Sequence, residues 1–314
     1  MRRLLVNDCL NTLGETTLWN LLREWFGMEF VGGDYATLGS KAEAAWDRDV
    51  SLFVRNATWF PPFVAGAPVV SLLQDILEDG PQRKLQEAVM SESRVTVFNS
   101  PFTASKYPDA KSIDGQTIIP LPVDFSLFEP GNPMGLQQEL GLPDGCVLWV
   151  GASQGAARQV KGWDTFLHVV RANPDLPFVA VFKDRAPDIM PPNLRVYERL
   201  PHAELAKVMG ACRVGLCTSK TESQHLAGIE MGACGLPMVA PPVGVYWKRQ
   251  QDGVVLVTDD VGAYSEGIRH TMKSLGHGFA GYSADIRNLW RKEFDRPVIR
   301  AQWEKLIEEV ESGH

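Results

Sequence analysis

Two glutamates, Glu222 and Glu230, stand eight positions apart in the stretch Thr218-Ser-Lys-Thr-Glu222-Ser-Gln-His-Leu-Ala-Gly-Ile-Glu230-Met-Gly-Ala-Cys-Gly-Leu-Pro237. An apolar run, Arg213 to Cys217, precedes them and reads as a buried parallel strand. A helix is expected from Leu226 to Cys234, stopped by Gly235 and Pro237, and Val239-Ala240 begins the next strand. This places Glu222 in the turn at the helix mouth and Glu230 about one turn inside. The backbone N–H groups of Ser223, Gln224, His225 and Leu226 have no helical acceptor there, and the helix dipole is positive. Such a mouth suits an anion, for example a diphosphate. Glu230 can then accept hydrogen bonds from ribose hydroxyls, and Glu222 can hold a sugar. The plainer reading is a helix-start charge and a solvated face. The ordered run of strand, turn, helix, Cys-Gly-Leu-Pro and strand speaks against it.

A second stretch adds positive charge. The strand Val147 to Val150 leads into a loop, Gly151-Ala-Ser-Gln-Gly-Ala-Ala-Arg158-Gln-Val-Lys161-Gly162, and a helix follows from Trp163 to Ala172. Two competing phosphate motifs fail. Gly151-x-x-x-Gly155 is not the dinucleotide fingerprint, and Gly210 to Gly215 has Walker spacing but is followed by Leu216 in place of lysine.

The elements that must position these residues alternate between strand and helix along the chain. Strands are expected at Leu4–Val6, Glu29–Val31, Val50–Val54, Val69–Leu72, Val95–Phe98, Thr117–Ile119, Phe178–Phe182, Leu194–Tyr197 and Val254–Val257. Helices are expected at Thr16–Phe26, Gln82–Met90, Ala263–Leu275, Ser283–Phe294 and Val298–Val310, and another begins near His202. This alternation implies α/β architecture with parallel sheets covered on both faces. Loops after such strands line a ligand crevice, which brings in Asn56, Gln74, Asp75, Asn99 and Ser100. The aromatic loop Asn56 to Phe63 reads either as an acceptor platform or as core packing.

At 314 residues with 45% apolar content, the chain suits two ordinary domains. Its net charge is −7, and residues 1–130 hold 11 Lys and Arg against 17 Asp and Glu. A broad nucleic-acid footprint is therefore not written in the bulk charge. The five cysteines, Cys9, Cys146, Cys212, Cys217 and Cys234, are scattered through apolar runs and lack zinc-ligand spacing. They read as reduced core thiols in a cytoplasmic protein. No apolar run reaches membrane-spanning length. Asn7, Asp8 and Asn11 interrupt what would otherwise open like a signal peptide.

The Glu222-(x7)-Glu230 stretch with Cys234-Gly-Leu-Pro237 resembles the donor motif of retaining glycosyltransferase family 4. Lys161-Gly162 and the crossing segment Pro120-Leu-Pro-Val-Asp124-Phe-Ser-Leu-Phe128-Glu-Pro130 resemble the same family. The resemblance implies a GT-B fold, two Rossmann-like domains facing each other across a donor/acceptor cleft. The N-terminal acceptor-side domain would span 1–130, the C-terminal donor domain 131–295, and a helix at 296–314 would cross back. Gly131 to Gly135 reads as linker.

The implied enzyme moves a sugar from a nucleotide-sugar, a substrate and not a cofactor, to an acceptor with retention of configuration and without a metal. Lys161 and Glu222 would be catalytic. Gly14, Arg158, Lys161, Glu222, Ser223, Gln224, His225, Leu226 and Glu230 would bind the donor. Departures from the family pattern are Ala152 for the usual arginine, His225 for the usual glycine, and Leu73-Gln74-Asp75 where a histidine is common. Arg158 would restore the missing charge. A sugar-nucleotide epimerase and a non-catalytic nucleotide-sugar-binding protein remain alternatives. The acceptor is open, a modified DNA base being disfavoured by the acidic first domain.

Overall fold

The computed structural model describes residues 3–8, 13–32, 50–56, 69–91, 93–109, 117–249, 253–276 and 279–312. They form two compact units. One takes in residues up to Pro122 together with those from Pro297 onward, and the other runs from Val123 to Arg296.

In the first unit, β1 (Arg3–Asp8), β2 (Glu29–Gly32), β3 (Val50–Asn56), β4 (Val69–Leu73), β5 (Val95–Phe98) and β6 (Thr117–Ile118) pair in the order β2-β1-β3-β4-β5-β6. Every pairing is parallel. The reversal of order falls between β1 and β3, where open parallel sheets gather ligands. The loops after those two strands, with Cys9 and residues 57–63 of the aromatic loop, lie outside the described residues. The polar loop expected from Asn7 to Glu15 is shorter than its sequence implied. Helix α1 (Leu13–Phe26) already begins at Leu13, so Gly14 lies in its first turn. Helix α2 (Pro81–Ser91) leads to β5, and a short helix α3 (Pro101–Ser105) follows it. Ser100 caps α3 by accepting the Thr103 N–H at 3.1 Å, so a helix start accounts for its hydroxyl. Gln74 is buried at the end of β4, and its side-chain oxygen lacks a hydrogen-bond partner among the described residues.

The second unit begins with α4 (Pro133–Leu140), where the linker was expected. Proline fits the first turn of a helix, and Gly141 ends it in the left-handed conformation. Strands β7 (Val147–Gly151), β8 (Phe178–Phe182), β9 (Leu194–Glu198), β10 (Val214–Leu216), β11 (Met238–Ala240) and β12 (Val254–Leu256) pair in the order β12-β11-β10-β7-β8-β9, all parallel. The expected loop from Gly151 to Lys161 contains a helix, α5 (Gly155–Lys161), which α6 (Trp163–Ala172) continues after Gly162. Its remaining helices are α7 (His202–Ala211), α8 (Leu226–Ala233), α9 (Val261–Leu275) and α10 (Phe279–Phe294), while α11 (Arg296–Ser312) belongs, from Pro297 onward, to the first unit.

Strand alternation builds the second unit's two apolar layers. Val147, Trp149, Phe178, Ala180, Phe182, Val214 and Leu216 meet Phe166, Val169 and Ile268 on one face. Leu148, Val179, Val181, Met238 and Ala240 meet Met209, Ile229, Met231 and Trp290 on the other. The period of two along each strand produces this sorting.

The units part at Pro122, eight residues before the boundary expected at 130. Val123 to Phe128 is tied into the second unit. The Val123 N–H bonds the Phe294 carbonyl at 2.9 Å, and Arg296 meets Asp124 at 2.7 Å. The Arg287 guanidinium donates to the carbonyls of Phe128 (2.6 Å), Phe125 (2.5 Å) and Ala233. It therefore caps the negative end of α8 while fastening the entry segment. Replacing Arg287 with alanine strips three part-buried carbonyls of a charged donor. We expect a loss of roughly 2–3 kcal/mol, measured as a lower midpoint in urea unfolding.

Candidate functional site

The strand order of the second unit reverses between β10 and β7, so the loops leaving their C-terminal ends diverge to opposite faces and open a crevice. The connections after these strands carry Lys161, the last residue of α5, and Glu222.

From β7 the chain passes Gly151, buried Ala152 and Ser153 into α5. The Asp184 carboxylate, just beyond β8, accepts the N–H groups of Ser153 and Gln154, each at 3.0 Å, and so occupies the start of α5 with a side-chain anion. The far end of α5 is pinned beneath β10. The Trp149 indole N–H donates to the Thr218 hydroxyl at 3.0 Å. That hydroxyl in turn lies 3.0 Å from the Lys161 carbonyl and 3.1 Å from that of Gly162. The Lys220 N–H adds a bond to the Val160 carbonyl at 2.8 Å. The approach is tight enough to demand glycine: a Cβ on Gly162, whose φ is +65°, would fall 1.9 Å from the Thr218 carbonyl oxygen.

This docking delivers the lysine to the glutamate. Lys161 Nζ lies 2.5 Å from Glu222 Oε1, and the Ser219 hydroxyl donates to the same oxygen at 2.7 Å. The two side chains are 25% and 10% exposed. Burial pushes the Glu222 carboxyl up. His225 and the Lys161 ammonium, with the hydrogen bonds from Lys161 and Ser219, outweigh burial and hold it below the ordinary range. Glu222 is therefore ionised at neutral pH.

Helix α8 starts at Leu226, as its sequence implied, and His225 precedes it in the left-handed region at φ +74°. That conformation costs a non-glycine residue about 1–2 kcal/mol. His225 is buried, and its Nδ1 lies 2.7 Å from the Tyr246 hydroxyl. Burial drives its pKa down to about 4, against a pull upward from Glu222, so the ring is neutral at pH 7. Of the four N–H groups expected at the mouth, those of His225 and Leu226 have no acceptor among the described residues. Ser223 and Gln224 are engaged with neighbouring groups, and the Gln224 carbonyl accepts the Val245 N–H at 3.1 Å.

Glu230 lies one turn into α8, partly buried. Among the described residues its carboxylate has no hydrogen-bond or ion-pair partner, and burial alone raises its pKa to about 7. Such a carboxyl can accept hydrogen bonds from a ligand's hydroxyls.

The structure thus brings Lys161, Glu222, His225, Leu226 and Glu230 to one strand-to-helix turn and its facing loop. Arg158 does not join the Lys161–Glu222 pair: it sits on α5 and pairs with Asp164 of α6 at 2.5 Å. Gly14 belongs to the other unit. Sequence reasoning passed over Trp149, Thr218, Ser219, Asp184 and Tyr246. Ser219 and Thr218 precede Glu222 by three and four residues and were open to recognition as its support. Tyr246 closes a short 3-10 turn, Gly244–Tyr246, and carries no periodic signal. Among the described residues, no group of three or more His, Cys, Asp or Glu is placed to hold a metal ion, and no helix is long and apolar enough to cross a membrane.

Two outcomes follow from this geometry. Thr218→Val leaves the Trp149 N–H buried without its acceptor, and should cost about 1–3 kcal/mol in urea unfolding; Thr218→Ser should restore most of it. Glu230 has a native pKa raised above its unfolded value. The native state thus binds more protons there, and stability falls as pH rises from about 4.5 through about 7. Glu230→Gln removes that charge. Its melting temperature should match wild type at pH 4.5 and exceed it at pH 8, by the equivalent of roughly 1–3 kcal/mol.

No protein-family model matches the chain. Among curated proteins, it is 30% identical over 202 residues to D-inositol 3-phosphate glycosyltransferase of Segniliparus rotundus, covering 58% of this chain and 44% of the relative. The protein of the same name from Stackebrandtia nassauensis is 28% identical over 240 residues, covering 66% and 54%. The chain spans about half the length of these relatives. Among solved structures, sucrose-phosphate synthase from Thermosynechococcus elongatus superposes with a TM-score of 0.79 at 15% identity, covering all of both chains. Anabaena HepE in complex with UDP gives 0.79 at 15% identity, covering 98% of this chain and 100% of that one. The likeness establishes the fold as GT-B, with two Rossmann-like units.

Proposed function

We propose that this chain is a glycosyltransferase that moves a sugar from a nucleotide-sugar to an acceptor with retention of configuration, in the manner of family 4. The observation that carries the reading is the preformed Lys161–Glu222 pair beside the start of α8, with the partnerless carboxylate of Glu230 one turn further in. The relatives named as glycosyltransferases and the fold shared with a UDP complex support it.

The chemical demand is the departure of a nucleoside diphosphate, whose growing negative charge needs fixed positive partners. Lys161 supplies an ammonium, and the backbone N–H groups of His225 and Leu226 supply oriented dipoles. These neutralise the leaving group in this scheme without a metal. Glu222 holds the sugar hydroxyls. On arrival of the donor, Lys161 exchanges part of its bond to Glu222 for one to phosphate. Glu230 grips the ribose hydroxyls. Ser223 and Gln224 complete the proposed donor contacts within the second unit. The nucleotide-sugar is consumed as substrate, and no cofactor takes part. Buried, unpaired thiols at Cys146, Cys212, Cys217 and Cys234 fit a reducing, cytoplasmic setting. The names of the relatives point to small phosphorylated or polyhydroxy acceptors.

A non-catalytic nucleotide-sugar-binding protein is the second reading. It is favoured by Ala152 at the family's arginine position and by the engagement of Arg158 with Asp164. One experiment separates the two. UDP-, GDP-, ADP- and TDP-sugars are screened for a rise in melting temperature, and the matched donor is then incubated with inositol 3-phosphate and a panel of sugar phosphates. We expect one donor to stabilise the protein and to be turned over. Glu230→Ala should weaken donor binding about tenfold. Lys161→Ala should lower kcat on the order of 100-fold, with a smaller effect on KM. Binding without turnover across the panel supports the second reading. Unaltered binding and kinetics in both variants remove this site from the function.

A further inference from the structure

His225 breaks a local rule. Its φ of +74° lies where glycine sits without strain, and the motif that this stretch resembles has glycine at that position. The chain keeps the backbone turn and adds an imidazole. The side chain is not left in solvent: His225 is 5% exposed, and Nδ1 lies 2.7 Å from the Tyr246 hydroxyl. Gly228 makes the room. A Cβ there would fall 1.7 Å from the Tyr246 oxygen and 2.5 Å from His225 Nδ1. Gly228 of α8 and Tyr246 of the 3-10 turn are thus both fitted to the one ring.

The direction of the hydrogen bond follows from satisfaction. Tyr246 is fully buried, and Nδ1 is the hydrogen-bond partner found for its hydroxyl among the described residues. A buried O–H gives its proton to an acceptor. Nδ1 therefore accepts, and the proton of the neutral ring sits on Nε2. Among the described residues Nε2 has no hydrogen-bond partner. The ring also feels the charges of Glu222 and Lys161.

We propose that His225 is a donor-binding residue whose Nε2–H, set by Tyr246, hydrogen-bonds the sugar-bearing phosphate of the nucleotide-sugar. The inference rests on the nucleotide-sugar reading above. A neutral donor at this point grips the phosphate without adding a second cation beside Lys161. It also offsets the engagement of Arg158 with Asp164.

The test uses the full chain and isothermal titration with UDP, GDP, ADP and TDP, followed by the monophosphate of whichever nucleotide binds. His225→Gly should fold, since glycine suits the turn, and relief of the strained backbone offsets the lost Tyr246 hydrogen bond, so it should melt within a few degrees of wild type. It should bind the diphosphate 5- to 10-fold more weakly and the monophosphate within twofold of wild type. Tyr246→Phe keeps the ring but frees its orientation, and should show a smaller loss with the same selectivity. Equal diphosphate affinity in wild type and His225→Gly overturns the inference and leaves the donor reading standing. Equal weakening of both nucleotides also overturns it, by making His225 a structural part of the turn. If wild type binds none of the four diphosphates, the donor reading falls and this inference with it.

Discussion

The candidate site depends on one contact made across 61 residues of chain, the Lys161–Glu222 ion pair. Partly buried ion pairs return little net stability, because removing two charges from water offsets most of their attraction. Their value lies in fixing geometry. Here the pair is held from both sides. The Thr218 hydroxyl pins the backbone of Lys161, Ser219 holds the glutamate, and Trp149 beneath them ties the arrangement to the aromatic layer of the second unit. Neither side chain is free to wander, so the positive charge is in place before any ligand arrives. That is the condition under which electrostatic stabilisation is most effective.

Around this pair the molecule accumulates local costs. His225 occupies a strained backbone region, Glu230 is a partly buried carboxyl without a partner, and the start of α8 offers N–H groups without an acceptor, both among the described residues. Each works against stability when considered alone. They lie within one strand-to-helix turn, while the surrounding strands and helices are sorted by strict alternation into well-packed layers. Conflict between local rules and global packing that is confined to one turn marks a place shaped for binding. A diphosphate with its attached sugars would satisfy all three groups at once, which gives the proposed function its physical economy.

Much of this was legible in the residues. Apolar runs with turn signals located β8 to the residue, and helix α8 to within one, because Gly235 and Pro237 stop it unambiguously. Helix α5 was hidden because a seven-residue helix between Gly155 and Gly162 shows too little periodicity. The start of α4 was mistaken for linker because Pro133 and Gly135 are loop residues in most settings, although proline at a helix's first turn is also a start signal. The unit boundary shifted to Pro122 because Arg287 and Arg296, far along the chain, claim the segment that follows.

The sequence by itself determined the parallel α/β class, the succession of strands along the chain, and the nearness of Glu222, His225 and Glu230, which follows from spacing along a single strand, turn and helix. Only the tertiary structure decided that β7 and β10 are neighbours at the reversal of the sheet, that Lys161 therefore meets Glu222 while Arg158 turns to Asp164, and that Tyr246 orients His225. The physical reason is range. Helix and strand periods are fixed by bonds between near neighbours, whereas strand order and side-chain pairing are set by how whole layers bury their apolar faces, and no local stretch of chain records that choice.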